Sequence, residues 1–295
     1  MVVERDIRVA SDRTVHVWDT GAPGGDETGR AFAAETLTVV WHHGSPQTGR
    51  LLEPVVSAAA ARGIRVVSCT RAGYPGATAL PGRSVAGASA DVVAVAAALG
   101  LERYASVGAS GGGPHALGCA ALDPEHVVGA VTLAGIAPYS TDDDWFAGMA
   151  SPQALTAALA GREARREHEL SAQFDPDVFI EADYAALDGE WAPLGADANR
   201  ATALATAGGG TPWGLIDDDV AYASPWGFDL ADARCPVLVV QGGRDRMIPP
   251  SHAGRLVDQL PAGELWLRPR DGHVSVLEAL PVALDWLLDV AGKNT

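Results

Sequence analysis

Residues 104–114, Tyr-Ala-Ser-Val-Gly-Ala-Ser-Gly-Gly-Gly-Pro, constrain this chain more than any other stretch. They read as an apolar strand that runs into a glycine turn and directly on into a helix. Gly108, Ser110 and Gly112 have the G-x-S-x-G spacing of a nucleophile elbow. There a sharp strand-to-helix turn lifts a serine hydroxyl above a sheet, and only small neighbours leave room for it. Val107 and Ala109 support the strand, Pro114 fits the first helical turn, and apolar spacing over 115–122 continues the helix. The sequence holds 34 glycines, so this spacing means little by itself and must be weighed against its surroundings.

Those surroundings repeat one pattern. After two short alternating stretches, Glu4 to Val9 and Thr14 to Trp18, that read as an edge hairpin, residues 20–36 read as a loop. Thr36 to Trp41 is then an apolar strand ending in His42-His43-Gly44-Ser45-Pro46, followed by a helix from Leu51 to Ala61. Ile64 to Cys69 repeats the unit, with Arg71-Ala72-Gly73-Tyr74-Pro75-Gly76 as its loop and a helix from Ser84 to Leu99. The elbow is the third unit, and Val127 to Ala134 is a further strand. Strands separated by helices of this length require crossovers, hence an α/β fold with a mostly parallel sheet covered on both faces.

Between Ile136 and Asp232 the strand pattern stops. Helical stretches such as Gln153 to Ala172 replace it, and the charged run 162–167 reads as a solvated helix face. Of the 18 aromatic residues in the chain, 11 fall here, an excess that suggests an apolar cover over a pocket. Trp145, Trp213 and Trp226 are the candidate substrate-binding residues. Strands resume at Pro236 to Gln241 and Glu264 to Leu267, and an amphipathic helix closes the chain. The expected organisation is a core of residues 1–135 and 233–295, with 136–232 inserted as a helical cap.

A serine hydroxyl is a poor nucleophile at neutral pH, so it needs a base, and the base needs a third group to hold its tautomer. Asp245 follows one of the late strands and His273 the next, which places both on the same carboxyl edge as Ser110. Backbone amides must also meet the developing oxyanion, and Gly111 and Ser45 are the candidates. His42 and His43 could suggest a metal, but adjacent strand residues point in opposite directions and no carboxylate spacing supports them. No metal or other cofactor is expected.

His-Gly-Ser-Pro, Arg-Ala-Gly-Tyr-Pro-Gly, Gly-Ala-Ser-Gly-Gly, Gly-Gly-Arg-Asp-Arg-Met-Ile-Pro and Asp-Gly-His together resemble the α/β-hydrolase superfamily, over nearly the whole chain. The resemblance implies an eight-stranded, mostly parallel sheet with a helical cap after the sixth strand. It also implies Ser110 as nucleophile, Asp245 as acid, His273 as base, and the Ser45 and Gly111 amides as oxyanion hole. The layout is similar to prolyl iminopeptidases, without their His-Gly-Gly-Pro-Gly loop. Thr70 stands where members of the α/β-hydrolase superfamily often carry Asp, and Ala77 where Ser is common, which implies a loop short of polar braces. A serine nucleophile separates the chain from the haloalkane dehalogenases and epoxide hydrolases, which use Asp.

Composition narrows the partners. A net charge of -16 disfavours nucleic acid and anionic membrane, since both are bound through basic patches. Cys69, Cys119 and Cys235 are isolated in apolar surroundings, and the charged N-terminus does not read as a signal peptide. A cytoplasmic monomer or homodimer is expected. The expected function is a serine hydrolase acting on a small to medium ester or related acyl compound, the expected partner. Amide or thioester hydrolysis, and ligand binding with little turnover, are the alternatives.

Overall fold

The computed structural model describes residues 2–21, 36–142 and 144–293. Most of the loop expected over 20–36 therefore lies outside the described residues. An edge hairpin, β1 (Val3–Ala10) and β2 (Arg13–Asp19), precedes β3 (Thr38–His42), α1 (Glu53–Ala60), β4 (Arg65–Cys69) and α2 (Val85–Ala98). Then come β5 (Tyr104–Ala109), α3 (Gly113–Leu122) and β6 (Val127–Leu133). Among the described residues five α-helices follow before the next strand: α4 (Gln153–Leu159), α5 (Arg162–Ser171), α6 (Glu181–Asp188), α7 (Ala192–Thr206) and α8 (Trp213–Tyr222). β7 (Val237–Gly242), α9 (Ser251–Val257), β8 (Gly263–Arg268) and α10 (Leu280–Lys293) complete the chain.

The eight strands form one sheet in the order β1-β2-β4-β3-β5-β6-β7-β8. β1, β2 and β4 pair antiparallel, and every pairing from β4 to β8 is parallel. Strands β3, β4, β5 and β7 are buried along their whole length, which only crossover helices on both faces allow. The strand period of two then divides the core. Val40, Val67, Val237 and Val239 pack on one face, while Val39, Trp41, Val66, Val107 and Val240 pack on the other. Each such side chain contributes about 1.5–3 kcal/mol through burial.

Local chemistry sets the helix boundaries. Ser84 caps α2, its Oγ accepting the Gly87 amide at 3.1 Å. The single helix expected over 153–172 is two, because Gly161 sits at φ 100° between α4 and α5. The charged run also departs from expectation. Arg165 is buried and donates to Asp219 at 2.6 Å, while Arg162 donates to Asp217 at 2.5 Å. Its residues therefore hold α5 against α8 as well as facing solvent. No described helix is long and apolar enough to cross a membrane.

Candidate active site

Ser110 follows β5 directly and has φ 52°, the left-handed region that few residues other than glycine enter. This turn exists because its neighbours lack side chains. A Cβ at Gly108 would lie 2.2 Å from the Gly112 carbonyl oxygen, and one at Gly112 would lie 2.1 Å from that of His42. Held this way, Ser110 remains partly exposed at the carboxyl end of the sheet.

Asp245 and His273 reach the same edge from the turns after β7 and β8. His273 Nε2 lies 2.9 Å from Ser110 Oγ, and its Nδ1 lies 2.8 Å from Asp245 Oδ2. A carboxylate only accepts, so Nδ1 carries the proton and Nε2 is left to accept from the serine. Asp245 is fixed in turn by the amides of Met247 and Ile248 on Oδ1, and by Gln241 Nε2 at 3.1 Å on Oδ2. Burial works to lower the His273 pKa, but the charge and hydrogen bond of Asp245, with Asp183 behind them, outweigh it and raise it above the ordinary histidine value.

The Ser45 loop lies against the elbow. A Cβ on Gly111 would fall 2.5 Å from Ser45 Oγ, and one on Gly44 would fall 3.7 Å from Ser110 Cβ. His42 and His43 are buried and otherwise engaged. His42 Nε2 lies 2.9 Å from Ser106 Oγ, and His43 Nδ1 lies 2.7 Å from the Gly44 oxygen. Burial holds both imidazoles well below the ordinary histidine value. Among the described residues no group of three His, Cys, Asp or Glu side chains is arranged to hold a metal ion.

The structure distributes the three tryptophans differently. Trp145 is fully buried among Tyr139, Phe146 and His252, and its indole N–H donates to the Pro138 oxygen at 3.0 Å. Trp226 is buried beside Phe228. Trp213 is half-exposed, with the Arg162 guanidinium 3.6 Å from its ring centre. Only Trp213 presents surface of the kind a ligand could use. A groove of about 550 Å³ between α1 and α7, lined by Leu51, Val56, Pro193, Asp197 and two arginines, includes none of Ser110, Asp245 and His273 in its walls.

Two site residues carry no sequence signal of their own. Asp183, on α6, is fully buried and accepts the amides of Val274 and Ser275 at 2.8 Å each, the Ser275 hydroxyl at 2.9 Å and the Ile180 amide at 3.0 Å. It therefore fixes the segment that carries His273. Asp218, on α8, does the same for the loops at Ser45 and Arg71. The polar bracing that Thr70 and Ala77 implied would be missing is supplied this way, together with the Thr70 hydroxyl, which donates to the Thr48 oxygen at 2.9 Å.

With this sheet, elbow and set of edge loops, the chain belongs to the α/β-hydrolase fold family, whose family model matches residues 38–280. It is similar to a thermophilic esterase from Thermogutta terrifontis, at TM-score 0.69 and 19% identity over 98% of this chain and 99% of that one. It is also similar to an enol-lactonase from Burkholderia xenovorans LB400, at 0.67 and 16% over 97% and 99%. A bromoperoxidase from Bacillus anthracis matches at 0.69 and 17% over 97% and 100%. No curated protein matches the sequence.

Proposed function

We propose that the protein is a serine hydrolase that cleaves a small to medium carboxylic ester or related acyl compound through an acyl-enzyme. The observation that carries this reading is the continuous hydrogen-bonded chain from Ser110 through His273 to Asp245, with the serine on a strained turn. Ser110 Oγ attacks the ester carbonyl carbon while His273 Nε2 takes its proton. The tetrahedral oxyanion rests on the amides of Ser45 and Gly111. Collapse expels the alcohol, which receives the proton from His273. Water, deprotonated by the same imidazole, then attacks the acyl-enzyme and releases the acid.

Residues 136–232 act in this reading as a cap, supported by five α-helices among the described residues between β6 and β7. The three cysteines suit a reducing compartment such as the cytoplasm: all are buried and unpaired, and burial pushes the Cys69 thiol up to about 12. Intact-protein mass spectrometry after treatment with a fluorophosphonate tests the assignment. One adduct is expected, and it disappears in Ser110→Ala. An adduct retained in that variant rejects Ser110 as nucleophile, and an unlabelled, ester-inactive wild type favours ligand binding without turnover.

A further inference from the structure

Beneath the Ser45 loop lies a buried cluster that the triad does not use. Asp218 has no exposed side-chain surface. Its Oδ1 accepts from Arg71 Nε at 2.9 Å and Arg83 Nη2 at 2.5 Å. Its Oδ2 accepts from Arg71 Nη2 at 2.6 Å, the Tyr74 hydroxyl at 2.7 Å and the Ser45 hydroxyl at 2.5 Å. Burial would raise this carboxyl, but the two guanidiniums overcome that and hold it well below the usual carboxylate range. His115, 3.8 Å from Oδ1, is pushed down to about 4 by burial and so adds no charge at neutral pH.

Arg71 also reaches past Asp218. Nη1 donates to the His43 oxygen at 2.7 Å and Nη2 to the Gly44 oxygen at 3.2 Å. His43 takes part as well: its Nε2 accepts the Arg71 amide at 3.2 Å, so its Nδ1 carries the proton it donates to the Gly44 oxygen. The Gly44 carbonyl and the Ser45 amide are two ends of one trans peptide plane and point in opposite directions. Two donors on the oxygen fix that plane. They also draw electron density toward the oxygen, which makes the Ser45 N–H a stronger donor. On the other side of the hole, the Tyr222 hydroxyl donates to the Gly111 oxygen at 2.8 Å and lies 3.1 Å from Ser45 Oγ.

We propose that Asp218 and Arg71 are positioning residues that hold the Gly44–Ser45 peptide as an oxyanion donor, so that the inserted helical segment takes part in the chemical step and not only in access. This rests on the serine-hydrolase reading above. A donor held but not aligned gives up only part of the 10²–10³ in rate that loss of a whole oxyanion donor costs, so a loss of about 10- to 100-fold is expected.

The test compares turnover of an aryl acetate with binding of an aryl trifluoromethyl ketone. Addition of Ser110 Oγ to the ketone places an alkoxide where the reaction oxyanion would sit. In Arg71→Lys and Asp218→Asn, kcat and ketone affinity should both fall by about 10- to 100-fold while KM stays within about threefold. The acid limb of the pH profile, which reports His273, should not move. Unchanged ketone affinity in these variants overturns the proposal, whatever happens to kcat. Ser45→Ala covers the case in which neither charge variant folds: it keeps the backbone amide and removes only the hydroxyl that Asp218 and Arg71 hold. Ketone binding weakened in that variant by about threefold or more supports the proposal, and unchanged binding rejects it. A wild type that neither turns over the ester nor binds the ketone refutes the underlying hydrolase reading, which is a different result.

Discussion

His273 Nδ1 lies 2.8 Å from Asp245 Oδ2, and the opposite oxygen of that carboxylate is pinned by the amides of Met247 and Ile248. Asp245→Asn keeps the shape but presents either an amide oxygen or an N–H to the imidazole. If the N–H faces it, Nδ1 must accept and Nε2 becomes the wrong tautomer for taking the serine proton. Steady-state assays should show kcat lower by about 10⁴, the loss seen when this carboxylate is replaced in a comparable triad. A near-normal rate would mean another group orients the imidazole. Asp271, the carboxylate in the loop that carries His273, is already taken by Arg268 at 2.5 Å.

The pH dependence follows from the same pair. His273 acts as a base only when neutral, and its pKa is raised, so kcat/KM should climb with pH through a midpoint above the unperturbed value of about 6.5. A pH–rate profile on an activated ester measures the midpoint. One below 6.5 would show that burial of the imidazole outweighs its charge and hydrogen-bond interactions with Asp245.

Asp183 accepts three backbone amides and one hydroxyl in a buried position, so removing it strands several donors at once. Asp183→Ala should cost about 3 kcal/mol or more in urea unfolding, because each buried donor left unpaired costs about 1–3 kcal/mol. Asp183→Asn, which can still accept, should lose less. Equal stability of the alanine variant and wild type would contradict the buried bracing of the His273 loop.

Acid should destabilise the fold through His252. Its Nε2 lies 3.0 Å from the Trp145 oxygen and its Nδ1 accepts the Ala137 amide, so it is held neutral, and burial pushes its pKa down to about 4. In the unfolded chain it titrates near 6.5. Between those values the unfolded state binds the extra proton, so this stabilisation is complete above about 6.5 and is lost as pH falls toward 4, by about 3 kcal/mol in total. Thermal melts across that range should show Tm falling with pH. His252→Gln should be less stable at pH 7.5 but show a shallower slope, and an unchanged slope would assign the acid sensitivity elsewhere.

The three tryptophans should separate by readout. Trp145→Ala and Trp226→Ala remove buried rings and should cost about 3–5 kcal/mol of stability. Trp213→Ala should leave stability closer to wild type and change the ratio of kcat/KM between a long and a short aryl ester. If Trp213→Ala keeps the wild-type ratio, the specificity surface lies in the core loops.

Much of the site was legible because its signals are local. The elbow needs glycines two residues either side of a serine, and Gly108, Ser110 and Gly112 announce that in five positions. Asp245 and His273 could be placed because each follows an apolar strand, and parallel strands bring their carboxyl ends to one edge. The helix break at Gly161 is masked in the sequence because good helix formers flank it on both sides. The role of the charged run is hidden for a different reason: sequence gives the charge of Arg165 but not the buried carboxylate that meets it from α8.

The sequence by itself determined the alternation of strands and helices in the sheet, the strained serine turn and the placement of Ser110, Asp245 and His273 at strand ends, since periodicity and turn chemistry act over a few residues. Tertiary structure alone decided which carboxylates brace the site. Asp183 contacts residues 91 and 92 positions away, and Asp218 meets Arg71 and Ser45 across 147 and 173 positions. Nothing local distinguishes either one from a solvated aspartate on a helix, because a buried charge is tolerated only when distant donors converge on it, and that convergence exists only in the folded chain.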